Sequence, residues 1–303
     1  MSHPARASLV PLVVAAVAFA TSAPLARLAR PAHPMAIACG RVLIGAIVLS
    51  CLDLRGLWRS LRAMPPDARG GLALSGLVLA AHFALFQVGL ETTSLPAAVS
   101  LVSLEPVSVV LWAWWWFGER PSSRRRWGVA VATLGAVVVA QSTSAGEHRL
   151  LGDVLVLFAV ALFGVYVALA RKLRDAIPAR HYAPAVYAVA ALALLVVAPL
   201  FAGDASAPVW PLPSSSLAMI ALVGLVPTVV GHTSLQIASR TLPASLVALV
   251  PPAETVGSLL LFSLWLGGAP TAMEAVGAGI ILSGVILTLT APVRPIAGSG
   301  RAG

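Results

Sequence analysis

Apolar residues occur along this chain in runs of about twenty, separated by short polar connections. A helix that crosses a bilayer needs about 20 mainly apolar residues. Only helices and closed barrels satisfy their backbone in lipid, and unbroken runs of this length indicate helices. The pattern therefore predicts an all-α polytopic membrane protein with ten transmembrane helices. The runs cover residues 8–28, 34–54, 70–91, 95–117, 126–143, 150–171, 181–202, 215–238, 243–266 and 273–291.

Composition supports an integral membrane protein and narrows the function. The chain has 303 residues, of which 59% are hydrophobic and 10% charged, whereas soluble domains are about a quarter charged. The net charge of +9 lies in short stretches between apolar runs, so we do not expect nucleic-acid binding. The sequence has no P-loop and no CxxC or HExxH spacing, which argues against ATP, metal or another cofactor, and against an enzyme.

Basic residues in the connections predict the orientation, because cytoplasmic loops are enriched in Lys and Arg. With the N-terminus inside, the predicted outer side keeps only Arg27, Arg30 and Arg149, and Arg41 falls within the second run. We therefore expect a multi-pass protein of the cell (cytoplasmic) membrane with both termini cytoplasmic. The predicted inner side holds Arg6, Arg55, Arg59, Arg62, Arg69, Arg120, Arg124, Arg125, Arg126, Arg171, Lys172, Arg174, Arg180, Arg240, Arg294 and Arg301.

The N-terminal run also resembles a signal peptide, since Arg6 precedes an apolar stretch and small residues. However, Phe19 and Arg27 have the same spacing as Phe163 and Arg171, 144 residues later. That match favours a retained first membrane helix.

Further matches of this kind indicate two halves of five helices, at residues 1–145 and 146–303. Because five is odd, the second half must enter the membrane from the side opposite to the first. Two halves related in this way form an inverted repeat, an architecture found in many secondary transporters. Leu95-Pro96-Ala97 returns as Leu242-Pro243-Ala244. Glu105, Gly118, Pro121, Gly128 and Gly135 return as Glu254, Gly267, Pro270, Gly277 and Gly284, each 149 residues later.

The paired acids Glu105 and Glu254 are the main candidates for chemistry. A charged side chain at the bilayer centre costs about 2.5–3.5 kcal/mol on insertion scales, so such residues usually face a cavity, a partner or a substrate path. They could bind a proton, a cation or a cationic part of a solute. Alternatively, a protonated Glu donates to carbonyls freed by Pro106 or by Pro251-Pro252.

Other polar residues lie at membrane depth. Thr228, His232, Gln236 and Ser239 form one face of an α-helix, and His82 lies near the centre of the third run. These side chains line a cavity or make interhelical hydrogen bonds.

Arg41 either reaches the outer surface or pairs with an intramembrane acid; we favour the pairing. Tyr166 aligns with Ser22 and either lines the cavity or packs.

The aromatic and glycine patterns have mainly structural explanations. The tryptophans near residues 112–127 are typical of an interfacial belt, with a stacking site for an aromatic solute as the alternative. Gly128 and Gly135, like Gly277, Gly279 and Gly284, favour close helix packing, either within one chain or across a homodimer.

The chain resembles the drug/metabolite transporter superfamily, in its ten-helix EamA-type branch. The resemblance rests on GLVLAAHFALFQVGLETTSLPAA (Gly76–Ala98), LEPVSVVLWAWWWFGERP (Leu104–Pro121) and LVPTVVGHTSLQIASRTLPAS (Leu225–Ser245). The second half departs from the family pattern, with Ala253-Glu254-Thr255 in place of Glu-Pro and Leu266-Gly267-Gly268 in place of Leu-Gly-Glu.

The resemblance implies a 5+5 inverted repeat, a central cavity and export or exchange of small metabolites. We therefore expect a secondary active transporter that exports a small metabolite or drug-like solute by alternating access, with proton coupling as an option. A membrane-embedded enzyme and a non-transporting scaffold or receptor are the alternatives.

Overall fold

A computed structural model describes residues 5–118, 121–141, 150–201, 208–241 and 250–290. These residues form α-helices, one 3₁₀-helix and one π-helix, and none of them lies in a strand. The α-helices are α1 (Ala5–Ala20), α2 (Ser22–Leu28), α3 (Pro34–Leu52), α4 (Leu54–Ala63), α5 (Pro66–Thr92), α6 (Leu95–Val102), α7 (Glu105–Phe117), α8 (Ser123–Ala140), α9 (Leu150–Lys172), α10 (Ala179–Val197), α11 (Ser214–Val223), α12 (His232–Thr241), α13 (Val250–Leu266) and α14 (Ala272–Leu289). The 3₁₀-helix (Ala198–Phe201) extends α10, and the π-helix (Gly224–Gly231) joins α11 to α12.

The described residues contain eight helical stretches that are long and apolar enough to cross a membrane, and α13 is a shorter apolar helix. α8 occupies the fifth predicted run and is 18 residues long. The sequence-based expectation of an all-α polytopic membrane protein is confirmed.

Two of the predicted runs are interrupted rather than continuous. The first breaks at Thr21, between α1 and α2, and the fourth breaks at Ser103-Leu104, between α6 and α7. In the fourth run, hydroxyls satisfy carbonyls near the break: Ser103 Oγ donates to the Ser100 carbonyl at 2.6 Å, and Thr255 Oγ1 of α13 donates to the Val99 carbonyl at 2.9 Å. The broken ends are therefore stabilised by side chains within the bundle.

The eighth predicted run is helical throughout, but it contains the π-helix Gly224–Gly231. A π-helical turn holds about one more residue than an α-helical turn, so the residues after it change face. Pro227 lies inside this segment and has no backbone N–H to donate. Thr228 Oγ1 instead donates to the Val223 carbonyl at 3.0 Å, five residues earlier.

Helices of the first half pack mainly on helices of the second. α3 packs against α10 and α8 against α14, which pairs helices at equivalent positions of the two halves. α5 and α7 pack against α9; their counterparts, the π-helix with α12 and α13, pack against α1. Exchanging each helix with its counterpart leaves this set of contacts unchanged, as an internal two-fold arrangement requires.

Glycines allow α8 and α14 to approach closely within one chain. A Cβ added at Gly135 would lie 2.6 Å from the Ile281 nitrogen, and one at Gly284 would lie 2.4 Å from the Ala132 nitrogen. Gly128 and Gly277 also face the opposite backbone, at 2.7 and 2.9 Å. Gly279 meets nothing within 4 Å. The predicted glycine packing is thus intramolecular at four of the five positions.

α4 is an amphipathic helix in a stretch for which the apolar pattern predicts only a connection between two membrane helices. Its N-cap, Asp53, accepts a hydrogen bond from the Gly56 N–H at 2.9 Å through Oδ1. The other carboxylate oxygen contacts His181 Nε2 of α10 at 3.0 Å, and His181 Nδ1 contacts Ser60 Oγ at 2.8 Å. The His181 hydrogen bond and then the Gly56 N–H hold the pKa of Asp53 below its usual value. These contacts tie α4 to the second half.

Candidate functional site

The candidate site is built around Arg41, two turns into α3. Its side chain is buried, with 3% exposure, so it does not reach the outer surface. The guanidinium carbon lies 4.2 Å from the centroid of the Phe83 ring of α5. Nε is 3.4 Å from Thr228 Oγ1 in the π-helix. Arg41 thus brings together a helix pair from the first half and the irregular segment of the second.

Gly45, one turn after Arg41, keeps this junction close. A Cβ at position 45 would lie 2.9 Å from Thr228 Cγ2 and 3.1 Å from Tyr187 Cδ2. The absence of a side chain therefore allows α3 to contact both the π-helix and α10. Because residues i and i+4 share a helix face, Gly45 and Arg41 present adjacent surfaces to this junction.

Glu105 and Glu254 lie within electrostatic range of Arg41, and of each other. Arg41 attracts both carboxylates, and the two carboxylates repel. Glu105 begins α7 directly after the break and is buried, whereas Glu254 is half-buried in α13. Within the described part of the chain, neither carboxylate comes within 4.0 Å of Arg41 or accepts a hydrogen bond. The expected direct pairing of Arg41 with an acid is therefore not seen.

The two histidines have different surroundings. His82 Nδ1 contacts the Ala159 carbonyl of α9 at 2.8 Å, and its ring packs against Phe83, Phe86 and Phe163. This arrangement matches the structural interpretation of His82, an interhelical hydrogen bond. His232, at the start of α12, packs its ring edge to face with Phe19 at 4.9 Å and with Tyr187 at 5.9 Å.

Of the remaining candidates, two have described contacts and two have side chains that the structure does not describe. Tyr166 stacks with Tyr182 at 6.1 Å and contacts Phe163 at 6.2 Å, which fits a packing role. Thr228 is fully buried and contacts Arg41. The side chains of Gln236 and Ser239 lie outside the described part of the structure, so their expected place on the polar stripe stays a prediction.

Phe83 and Tyr187 adjoin the candidate site but were not predicted from the sequence. Both are aromatic residues in apolar runs, where packing is the ordinary explanation, and nothing in their local sequence separates them from core residues. Only the tertiary contact between Arg41 and the Phe83 ring reveals that one of them faces a charge.

A second buried arginine, Arg27 of α2, lies in a polar cluster that sequence analysis also missed. Its Nη2 donates to the carbonyls of Leu90 and Thr93, each at 2.5 Å, at the end of α5. Thr93 Oγ1 in turn donates to Asp153 Oδ1 of α9 at 2.8 Å. The only sequence signal was the matched spacing of Phe19 and Arg27 in the repeat.

Glu274 is a third buried acid, at the start of α14. Its Oε2 accepts the Thr271 N–H at 2.8 Å within a capping box, and Oε1 contacts Ser94 Oγ. Arg27 and Glu274 both act at helix ends on the predicted outer side. The polar groups there bind one another, in contrast to those around Arg41.

The tryptophan cluster is largely exposed at the end of α7. Trp112 Nε1 donates to the Ala161 carbonyl at 3.0 Å, while Trp115 is 76% exposed. Trp112, Trp115, Trp116 and Val165 line an open groove of about 550 Å³. Exposed aromatic rings at the end of a membrane helix are typical of an interfacial belt.

A bundle of apolar helices with charges of both signs in its interior is typical of polytopic membrane transporters of small solutes. The chain belongs to the EamA-like transporter family, whose model matches residues 7–141 and residues 150–290.

Two individual proteins show the extent of the similarity. The chain is 29% identical over 290 residues to a "Probable terminal-alkyne amino-acid exporter" of Streptantibioticus cattleyicolor, covering 91% of each chain. A crystal structure of a protein with 22% identity superposes with a TM-score of 0.64, covering 93% of this chain and 96% of the other. At that identity the superposition supports the fold alone.

Proposed function

We propose that this transporter exports a small amino-acid-like solute across the cytoplasmic membrane by alternating access, in exchange for protons. The two five-helix repeats, residues 1–145 and 146–303, would rock against each other around the candidate site. The exporter named above supports both the direction and the amino-acid class as the first to test.

The observation that carries this proposal is the group of Arg41, Glu105 and Glu254. These residues come from α3, α7 and α13, so both halves contribute. Each charged group at membrane depth costs about 2.5–3.5 kcal/mol on insertion scales. The described residues supply neither acid with a hydrogen bond. A mobile ligand that interacts with these groups explains why the chain retains them.

The balance of charge supports a proton as the exchanged ion. Two carboxylates face one guanidinium, so one acid exceeds what Arg41 can neutralise. That acid would bind a proton in one state and release it in the other, with Glu105 as the first choice because it begins a broken helix. His232 lies beside Tyr187 and would be a secondary proton carrier.

The orientation rests on loop charge, with both termini in the cytoplasm. α4 carries Arg55, Arg59 and Arg62 and lies between the second and third membrane segments. An amphipathic helix of this kind fits the inner membrane surface, where anionic headgroups attract arginine.

Purified protein in proteoliposomes tests the proposal. Vesicles are loaded with a labelled mixture of the twenty amino acids. Efflux is followed with and without a proton gradient directed into the vesicles. We expect efflux of a subset of amino acids above protein-free vesicles, accelerated severalfold by the gradient. Glu105→Gln should retain exchange at zero gradient and lose the acceleration. Absence of amino-acid flux from folded protein would contradict the proposed substrate class.

A further inference from the structure

We infer that Arg41 binds the carboxylate of the transported solute and thereby selects carboxylate-bearing solutes over amines of the same shape. This inference rests on the proposed function and assigns one part of the site to one part of the solute. It begins from the incomplete set of partners around the Arg41 guanidinium.

A guanidinium offers five N–H donors in a planar fork. In this structure the only hydrogen bond of Arg41 with the described residues is the long contact from Nε to Thr228 Oγ1, at 3.4 Å. Buried donors are normally satisfied, and an unsatisfied charged group is costlier than a neutral one. The terminal amino groups of Arg41 are therefore suited to an anionic ligand.

Phe83 orients the guanidinium without using its donors. Its ring centre lies 4.2 Å from the guanidinium carbon, a distance at which cations are attracted to an aromatic face. This contact with the ring face uses none of the N–H donors at the edge of the guanidinium. Two parallel N–H donors on that edge match the two oxygens of a carboxylate. Lysine, a point charge with no plane, would not reproduce this geometry.

The acids determine where the opposite charge of the solute would lie. Glu105 and Glu254 interact with Arg41 through space, yet neither forms an ion pair with it within 4.0 Å among the described residues. A ligand that binds Arg41 would therefore break no direct salt bridge with the described residues. An α-amino acid has both charges, a carboxylate for Arg41 and an ammonium group for Glu254 or Glu105.

Exchange in proteoliposomes with matched compounds tests this inference. The probes are L-leucine, L-leucinamide and isopentylamine, with L-alanine, L-alaninamide and ethylamine as a second set. For at least one set we expect the wild type to exchange the amino acid ten times faster than the amide and the amine. Arg41→Gln should bring the ratios close to one, and Arg41→Lys should give intermediate ratios. Arg30→Gln, which alters an exposed arginine paired with Glu91, should leave the ratios unchanged.

The outcomes separate this inference from the proposed function. Equal exchange of the three compounds by the wild type, or a preference that persists in Arg41→Gln, would overturn the role of Arg41 while transport stands. If no compound moves, the proposed function fails for these solutes, and thermal stability in detergent decides the binding role. Carboxylate-dependent stabilisation that Arg41→Gln abolishes would support it; no such stabilisation would overturn it.

Discussion

Arg27 and Arg41 are both buried arginines in apolar helices, yet the protein surrounds them differently. Arg27 donates to two carbonyls at the end of α5, and those residues lead to Asp153 of α9. Arg41 makes one long hydrogen bond, to the Thr228 hydroxyl, and lies against the Phe83 ring. The first arrangement holds three helices together, whereas the second leaves hydrogen-bonding capacity unused. Burial alone therefore does not identify a functional charge; Arg27 and Arg41 differ in the number and length of their hydrogen bonds.

The largest expected effect comes from replacing the two arginines in turn. Arg27→Gln removes the charge that binds the Leu90 and Thr93 carbonyls and should destabilise the protein by about 3 kcal/mol. Arg41→Gln removes a charge with few hydrogen-bond partners, so it should lower the melting temperature much less than Arg27→Gln does. Thermal unfolding in detergent measures both. Equal destabilisation by the two substitutions would break the distinction drawn between them.

Helix packing provides the next test, because α8 and α14 meet through glycine on the same intramolecular face. Gly284→Val would place its Cβ 2.4 Å from the Ala132 backbone, and overpacking of this kind costs about 1–3 kcal/mol. Gly279→Val is the matched control on the same helix, since nothing lies within 4 Å. Thermal unfolding should show a marked loss for the first variant and almost none for the second. A similar loss in both would contradict the intramolecular interface.

The two buried glutamates, Glu105 and Glu274, extend the comparison. Glu274→Gln loses one of the two oxygens that serve Ser94 and the Thr271 N–H, and should cost about 1–2 kcal/mol in stability. Glu105→Gln should retain full stability, because no described residue donates to it, and should alter only the pH dependence of transport. Melting curves and a pH series of proteoliposome flux check the pair. Loss of stability in Glu105→Gln would assign that acid to the fold.

The smallest effect concerns Asp53 and its contact with His181. Asp53→Asn keeps an N-cap for α4, while Asp53→Ala removes it, so the alanine variant should melt lower. The pKa of Asp53 is lowered in the folded protein. Its contribution is therefore complete above the ordinary aspartate pKa and is lost as pH falls through the lowered value. The difference in melting temperature between wild type and Asp53→Asn should shrink between pH 5 and pH 3. A constant difference would exclude the charge of the Asp53 carboxylate as its source.

Hydrophobicity predicts the membrane helices well, because the cost of exposing polar groups to lipid acts on every residue of a run. The runs at 34–54 and 150–171 differ from α3 and α9 by at most two residues at an end. Helix breaks were not predicted, since they depend on hydroxyls such as Ser103 and on the π-helical turn around Pro227. α4 was missed although Leu54, Leu57 and Leu61 follow helical spacing, because only longer apolar runs were counted.

The site was predicted in part. Arg41, Glu105 and Glu254 stood out because charge is rare at membrane depth, and the structure brings them within electrostatic range of one another. The sequence could not distinguish Arg41 from Arg27, whose partners are backbone carbonyls and therefore leave no trace in residue identity. It also could not show that His82 binds the Ala159 carbonyl. Those distinctions require tertiary contacts.

The central claim is that the protein leaves the Arg41 guanidinium with few hydrogen-bond partners because the carboxylate of a solute supplies them. Solute-induced change in the melting temperature of detergent-solubilised protein tests this most directly, because a ligand that binds only the folded state raises its stability, by an amount that increases with the logarithm of its concentration relative to Kd. With the best-exchanged amino acid, wild type should melt several degrees higher, and the melting temperature of Arg41→Gln should not change. A full shift in folded Arg41→Gln would contradict the account.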